Sequence, residues 1–296
     1  MTIITRRTFL AAGAAGFVAS ATGGAYAGVV EPTMMLGVTT YELTPPGWPD
    51  DLLLNVAVIS DVHVNEPYTP MSRVKRIVEI ANGLKPDMIV HLGDHEATHR
   101  FVKRRVPPRE WAAAYADLAA PLGLWTVLGN HDWWNNSREI RRALDDAHIR
   151  VLENEAELLE HGARRFWIAG LGDQIAYRLG RGSFHGRDDL PGTLAQIRTD
   201  DPVLMLAHEP DIFAEMPPRV SLTLSGHTHG GQVYIPGLPA PWIPSGYGDR
   251  YRYGHIVEDG RHLIVSGGIG MSGLPIRFGV PPEVLMVRLG RPIAAA

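Results

Sequence analysis

The sequence contains no cysteine. That excludes disulfides, iron–sulfur clusters, thiolate zinc sites and cysteine nucleophiles. It also lacks a positive excess: 28 Lys and Arg against 32 Asp and Glu give a net charge of −4. A stable nucleic-acid complex held by bulk charge is therefore not expected. No apolar run reaches the roughly 20 unbroken residues that a bilayer-spanning helix needs. Internal repeats and low-complexity tracts are absent as well. What the 296 residues do have is 45% hydrophobic content, ample for a full core. They also carry 32 glycines, 23 prolines and 13 histidines. Such glycine and proline content predicts a folded chain with many loops, and loops carry function.

The first residues read as an address. Arg6 and Arg7 give a positive start, and an apolar small-residue stretch runs from Phe9 to about Ala21. Ala25-Tyr26-Ala27 then reads as a cleavage site of the A-x-A kind. Thr5-Arg6-Arg7-Thr8-Phe9-Leu10 resembles the twin-arginine export signal. Residues 1–27 are accordingly expected to direct export through the twin-arginine translocation machinery to a periplasmic or other extracytoplasmic location. An uncleaved anchor is the alternative.

Residues 28–44 are rich in Pro, Gly and Thr and read as an extended lead-in. From there, short apolar runs alternate with helical patterns. Leu52–Ser60, Asp87–Leu92 and Leu124–Leu128 read as strands, and Met71–Leu84, Arg109–Ala120 and Ser137–Ala147 as helices, the last with Ser137 as N-cap. Strands are expected again at Arg150–Leu152, Arg165–Leu171, Val203–Ala207 and Ser221–Leu224, with a helix over Leu190–Ile197. The last strands expected are Gln232–Ile235, Gly254–Val257, His262–Val265 and Val284–Arg288. Alternating strands and helices predict an α/β fold with a largely parallel sheet, to which the C-terminal third adds antiparallel pairing. One domain is expected over residues 45–291.

Five short polar segments each follow an apolar run: Asp61-Val62-His63, Gly93-Asp94, Gly129-Asn130-His131-Asp132, His208-Glu209 and Gly226-His227-Thr228-His229-Gly230-Gly231-Gln232. In an open α/β sheet the carboxyl ends of strands form the binding crevice, so these segments should converge. The i, i+2 spacing of Asp61 with His63, and of His227 with His229, places each pair on one side of an extended backbone. Asp94 can bridge two cations through its two oxygens, Asn130 offers a neutral carbonyl oxygen, and His208 adds an imidazole. Two carboxylates, four imidazoles and an amide are too many for one tetrahedral zinc. They suit two divalent metals about 3.5–4 Å apart, sharing a carboxylate and a water or hydroxide. Nitrogen and oxygen donors without sulfur admit Mn, Fe, Zn, Co or Ni, with Mn or a mixed Fe/Zn pair favoured.

This series of motifs resembles the calcineurin-like metallophosphoesterase superfamily, from residue 52 to 290. The segment Ser272-Gly273-Leu274-Pro275-Ile276-Arg277-Phe278-Gly279 is similar to its exported branch, which includes twin-arginine phosphodiesterases and enzymes acting on membrane-associated nucleotide-sugar lipids. The resemblance implies a four-layer αββα sandwich of two mixed sheets, metallo-dependent phosphatase-like. It implies that Asp61, His63 and His229 hold one metal, that Asp94 bridges, and that Asn130, His208 and His227 hold the other. His131 would stabilise phosphoryl charge and protonate the leaving oxygen, with Asp132 orienting its ring. The reaction implied is hydrolysis of a phosphodiester, pyrophosphate or phosphomonoester by a hydroxide held between the metals. Where relatives often follow Gly-Asp with a small apolar pair and a second acid, this chain has His95-Glu96-Ala97-Thr98.

Other residues are read more plainly. His91 lies inside a strand and reads as a packed core histidine; His99, His148, His161, His185 and His262 read as surface residues. His95 is a candidate for substrate contact. Arg277 would either grip phosphate bidentately or make a structural ion pair. Trp133-Trp134 would stack a base, line a lipid groove or simply pack. The apolar loop Pro239–Pro244 is a candidate for contact with acyl chains or a membrane surface. Two other functions remain open: a metal-dependent binding protein on the same fold that has lost turnover, and an exported nuclease, against which the acidic balance counts.

Overall fold

The computed structural model describes residues 23–290. The paired arginines and apolar stretch assigned to the export signal lie outside the described residues. Among those described, no helix is long and apolar enough to cross a membrane.

The first half of the chain runs β1 (Gly37–Leu43), β2 (Leu54–Ile59), α1 (Met71–Gly83), β3 (Met88–His91), α2 (Pro108–Tyr115), β4 (Leu124–Thr126), α3 (Asn130–Asn135), α4 (Ser137–Asp146) and β5 (Arg150–Val151). The second half continues with β6 (Glu155–His161), β7 (Arg164–Gly170), β8 (Tyr177–Gly180), β9 (Ser183–His185), α5 (Leu190–Leu194), β10 (Val203–Leu206), β11 (Leu222–Ser225), β12 (Gly254–Glu258), β13 (Arg261–Val265) and β14 (Glu283–Leu289). Two six-stranded sheets result, ordered β1-β14-β2-β3-β4-β5 and β12-β13-β11-β10-β7-β6. Both are mixed. In the first, β2 to β5 are parallel and β14 runs antiparallel to β2. In the second, β7, β10, β11 and β13 are parallel, with β6 and β12 as antiparallel edges.

Strand alternation explains the layering. Val56 and Val58 of β2 face Leu204 and Leu206 of β10 across the space between the sheets, in a core that also takes in Val90, Ile168, Leu224 and Leu285. Their neighbours Ala57 and Ile59 point the other way, into a second core under α1, α2 and α4. On α1 the buried Val74, Ile77, Val78 and Ala81 follow the i, i+3, i+4, i+7 stripe of a one-sided helix. Val203 and Met205 of β10 enter a third core on the outer side of the second sheet. Helices or helical turns therefore cover both outer faces, the α/β arrangement of two mixed sheets with flanking helices.

Several expectations are corrected. The segment 28–44 is not an extended lead-in outside the domain: it forms a π-helical stretch, Tyr26–Met34, followed by β1. β1 pairs in parallel with β14 from Gly37↔Glu283 to Leu43↔Leu289. Its half-exposed sequence GVTTYEL lacks an apolar run, as an edge strand can. β6 and the β8–β9 hairpin have no counterpart in the expected strands, for the same reason: β6 is only half-buried and the hairpin is exposed. No strand forms over Gln232–Ile235, because Gln232 takes φ 55° and only Val233 bridges, to Phe278. The N-cap of α4 is Asn136, whose side-chain oxygen accepts the Glu139 N–H at 3.3 Å, rather than Ser137.

Candidate metal centre

Each polar segment leaves the carboxyl end of a parallel strand or the turn beyond it: Asp61 and His63 after β2, Asp94 after β3, Asn130 and His131 after β4, His208 after β10, His227 and His229 after β11. Side-chain donor atoms of Asp61, His63, Asp94 and His229 lie within 4.8 Å of one another, and so do those of Asp94, His208 and His227. Asp94 belongs to both groups. Asn130 joins the second, its Oδ1 lying 3.2 Å from His208 Nε2. All seven side chains are buried.

The backbone that delivers them is not extended, contrary to the i, i+2 reading. Asp61, His63, Asp94, His227 and His229 have φ of 51°, 48°, 56°, 67° and 51°. Left-handed non-glycine residues cost of order 1–3 kcal/mol each and cluster at functional sites. Two glycines make the approach possible. A Cβ on Gly129 would run into the Asp94 carboxylate and the His208 ring, and one on Gly226 into Ser60 and the Asp61 carboxylate.

The hydrogen bonds fix the donor set. His208 Nδ1 donates to the Leu92 carbonyl at 2.6 Å, and His63 Nδ1 to the Glu96 carbonyl at 3.1 Å. In the neutral ring each Nε2 is left with a lone pair. For His208 that lone pair faces Asp94 Oδ2 at 3.3 Å and Asn130 Oδ1 at 3.2 Å, both acceptors. His63 Nε2 stands 3.4 Å from Asp94 Oδ2. Buried acceptors converging on acceptors are unfavourable unless positive charge, a proton or a metal ion, lies between them. The residues therefore fit two divalent metal ions, with Asp94 common to both donor groups. Second partners on the far ring nitrogens, here backbone carbonyls, are what orient metal-binding imidazoles.

His131 sits beside this set, its ring 4.7 Å from that of His63. Its Nδ1 lies 2.6 Å from Thr98 Oγ1 and its Nε2 3.1 Å from Ser272 Oγ. Gln232 holds Ser272 in place by accepting its backbone N–H at 2.6 Å. Burial pushes the His131 pKa down to about 3. Asp132 does not touch the ring, which corrects its expected role. Its Oδ1 accepts the His95 N–H at 2.9 Å and its Oδ2 the Gly129 N–H at 3.0 Å. It ties the Gly-Asp loop to the Gly-Asn-His turn.

Neither weak substrate candidate reaches the cleft. His95 is fully buried, stacked on Trp111 at 5.1 Å and packed against His91 at 3.9 Å, and its pKa is pushed down to about 3 by burial. Arg277 is also fully buried, and it makes no ion pair with any of the described residues. Its guanidinium donates to the carbonyls of Gly267 at 2.8 Å, Gly270 at 2.9 Å and Val280 at 3.0 Å, and lies 3.1 Å from His229 Nδ1. His99, expected on the surface, is buried and lines the cleft.

The cleft over the site measures about 800 Å³ and is walled by Trp134, Ile175, Phe184 and Trp242. Phe184 stacks on Trp134 at 5.8 Å, and the Arg178 guanidinium lies 3.5 Å from the Trp134 ring centroid. Thr98, Ser272, Arg178 and Phe184 were missed as functional residues. Only Ser272 carried a signal, its place in the SGLPIRFG segment.

The calcineurin-like phosphoesterase family matches this sequence over residues 54–231, which include every one of the seven donors. The chain belongs to that family. With that family's match and the clustered Asp and His donors, it is a metal-dependent phosphoester hydrolase. Metallophosphoesterase YkuE of Bacillus subtilis (strain 168) is 30% identical over 97% of this chain and 98% of its own length. A metallophosphoesterase of Aquifex aeolicus (strain VF5) is 31% identical over 87% of this chain and 93% of its own. Phosphodiesterase YaeI of Escherichia coli (strain K12) is 28% identical over 79% of this chain and 81% of its own. Among solved structures, a 5'-nucleotidase precursor from Thermus thermophilus superposes with a TM-score of 0.47 at 12% identity, over 80% of this chain and 55% of that one. The chain thus spans about half that nucleotidase, and a likeness this distant carries no argument about substrate.

Proposed function

We propose that this chain is an exported phosphodiesterase whose substrate carries a bulky apolar or aromatic part beside the scissile phosphate. The observation that carries the reading is the continuity of the cleft: it runs from Asp94, Asn130, His131 and His227 to the wall of Trp134, Phe184 and Trp242. A small monoester would leave that wall uncovered. A lipid-linked or nucleotide-sugar-linked diester or pyrophosphate would fill it.

Bound divalent cations supply Lewis-acid activation of water and phosphoryl oxygen. The protein supplies the rest. Asp61, His63 and His229 would hold one ion, Asn130, His208 and His227 the other, with Asp94 shared. The His131 ring faces the same cleft between two hydroxyls that fix its plane. With the cleft free of anions, burial keeps the ring neutral; a phosphoryl group beside it favours the protonated form. His131 then donates a hydrogen bond to phosphoryl oxygen and delivers a proton to the leaving oxygen.

Export rests on the Arg6-Arg7 leader. Membrane contact is supported by the loop after the paired histidines, where Leu238 and Trp242 are 58% and 56% exposed and Trp242 also borders the cleft. The test is hydrolysis of bis-p-nitrophenyl phosphate, p-nitrophenyl phosphate and lipid-linked diesters by the manganese-loaded protein, with and without chelator. A higher kcat/KM on the diesters, abolished by the chelator, is expected. Preference for the small monoester would contradict the proposal, as would diester turnover that survives chelation. Fractionation of cells carrying R6K/R7K should show retention in the cytoplasm.

A further inference from the structure

Beside the second group of donors lies a pair of carboxylates that the hydrolysis does not use. Asp173 follows β7 and Glu209 follows β10, adjacent parallel strands, and the two are 0% and 3% exposed. Each is anchored through one oxygen. Asp173 Oδ1 accepts the Ile175 N–H at 2.9 Å, and Glu209 Oε2 accepts the Gln174 N–H at 2.9 Å. The other oxygens, Asp173 Oδ2 and Glu209 Oε1, are buried with no hydrogen-bond donor, and so is Gln174 Oε1. Donor atoms of Asp173, Glu209 and His208 lie within 4.8 Å of one another. The His208 nitrogens are already engaged, by the Leu92 carbonyl and the Asp94–Asn130 side. Among the described residues no lysine or arginine pairs with either carboxylate, and Asp188 adds further negative charge near Glu209.

We propose that Asp173, Glu209 and the Gln174 side-chain carbonyl bind a third cation, a hard divalent ion of the calcium or magnesium kind, separate from the two at Asp94. Free oxygens alone, without nitrogen or sulfur, are the ligands such ions select. A proton shared between the two carboxyl groups is the competing arrangement. It would satisfy that one contact and leave Gln174 Oε1 bare and the surrounding negative charge unbalanced. Glu209 and Gln174 also border the cleft, which gives the ion a path of entry and room for the water that completes its shell.

The test uses the full-length protein loaded with two equivalents of manganese. It is dialysed against millimolar calcium or magnesium, and all metals are counted by plasma mass spectrometry. The expected result is one calcium or magnesium per chain beyond the two manganese ions, with a rise in Tm as that ion is titrated in. The D173N/E209Q double variant should lose that ion and the Tm response while keeping both manganese ions. A wild-type protein that holds neither calcium nor magnesium overturns the proposal in favour of the shared proton. Retention of the ion by a folded double variant overturns it too. The manganese count is read separately, so failure here is distinguishable from failure of the two-metal centre.

Discussion

The Thr98 hydroxyl lies 2.6 Å from His131 Nδ1 and takes the ring-orienting place expected of Asp132. Ser272 holds the opposite nitrogen at 3.1 Å. A hydroxyl can donate or accept, so it fixes the plane of the imidazole without adding charge. Thr98→Val should lower kcat on bis-p-nitrophenyl phosphate by about tenfold or more with little change in KM, since misplacing a reacting group by about 1 Å can cost 10²-fold. Thr98→Ser should restore most of it. An unchanged kcat in Thr98→Val would show that the hydroxyl does not position the ring.

Asp132 is assigned to the fold of the loop rather than to proton transfer. Replacing it with Ala leaves the buried N–H groups of Gly129 and His95 without an acceptor. Each such loss costs about 1–3 kcal/mol. Urea unfolding of Asp132→Ala should show a drop of about 2–5 kcal/mol. His131→Ala should show little, while its kcat falls about 10²–10⁴-fold.

Arg277→Met should weaken retention of the ion assigned to Asp61, His63 and His229, because the guanidinium holds, through the carbonyls of Gly267 and Gly270, the loop packed against Asp61 and His63. Loss of a partner behind a metal-binding residue typically costs about 10–100-fold in metal affinity. Competition with a chromogenic chelator measures it. If metal affinity is unchanged and only the KM for substrate rises, Arg277 contacts phosphate after all.

What could be read in the sequence and what could not divide along physical lines. The strands that carry the site are short, buried and largely apolar, and the polar residues at their ends stand out against them; β2 followed by Asp61 and His63 is the clearest case. Pairing of β1 with β14 joins opposite ends of the chain and leaves no local signal. The left-handed turns at Asp61 and His227 were invisible because Asp-x-His spacing fits an extended strand equally well. Asp132 was legible in another way: it stands three residues after Gly129, the position from which an acid caps a helix start, and its carboxylate does accept the Gly129 N–H. Arg277 read as a phosphate ligand or an ion-pair partner because nothing local reveals that loops from 267 to 280 close around it.

Stability of the metal-free protein should fall with acid partly through His95. In the unfolded chain this residue titrates near 6.5, and in the fold at about 3 because burial disfavours the cation. Between those values the unfolded chain binds the extra proton. The contribution is complete above pH 6.5 and is lost as pH falls through the window towards 3. His95→Gln should reduce the slope of unfolding free energy against pH by about 1.4 kcal/mol per unit across pH 4–6. An unaltered slope would mean His95 is protonated in the fold.

A pair of cations sharing the Asp94 carboxylate is read by counting the transition-metal ions bound per chain. Wild-type protein saturated with manganese and freed of excess should hold two ions, His208→Ala one, and Asp94→Ala fewer than one. A saturated wild-type protein holding a single manganese ion, or an Asp94→Ala variant that still holds two, would rule out a two-metal centre built on Asp94.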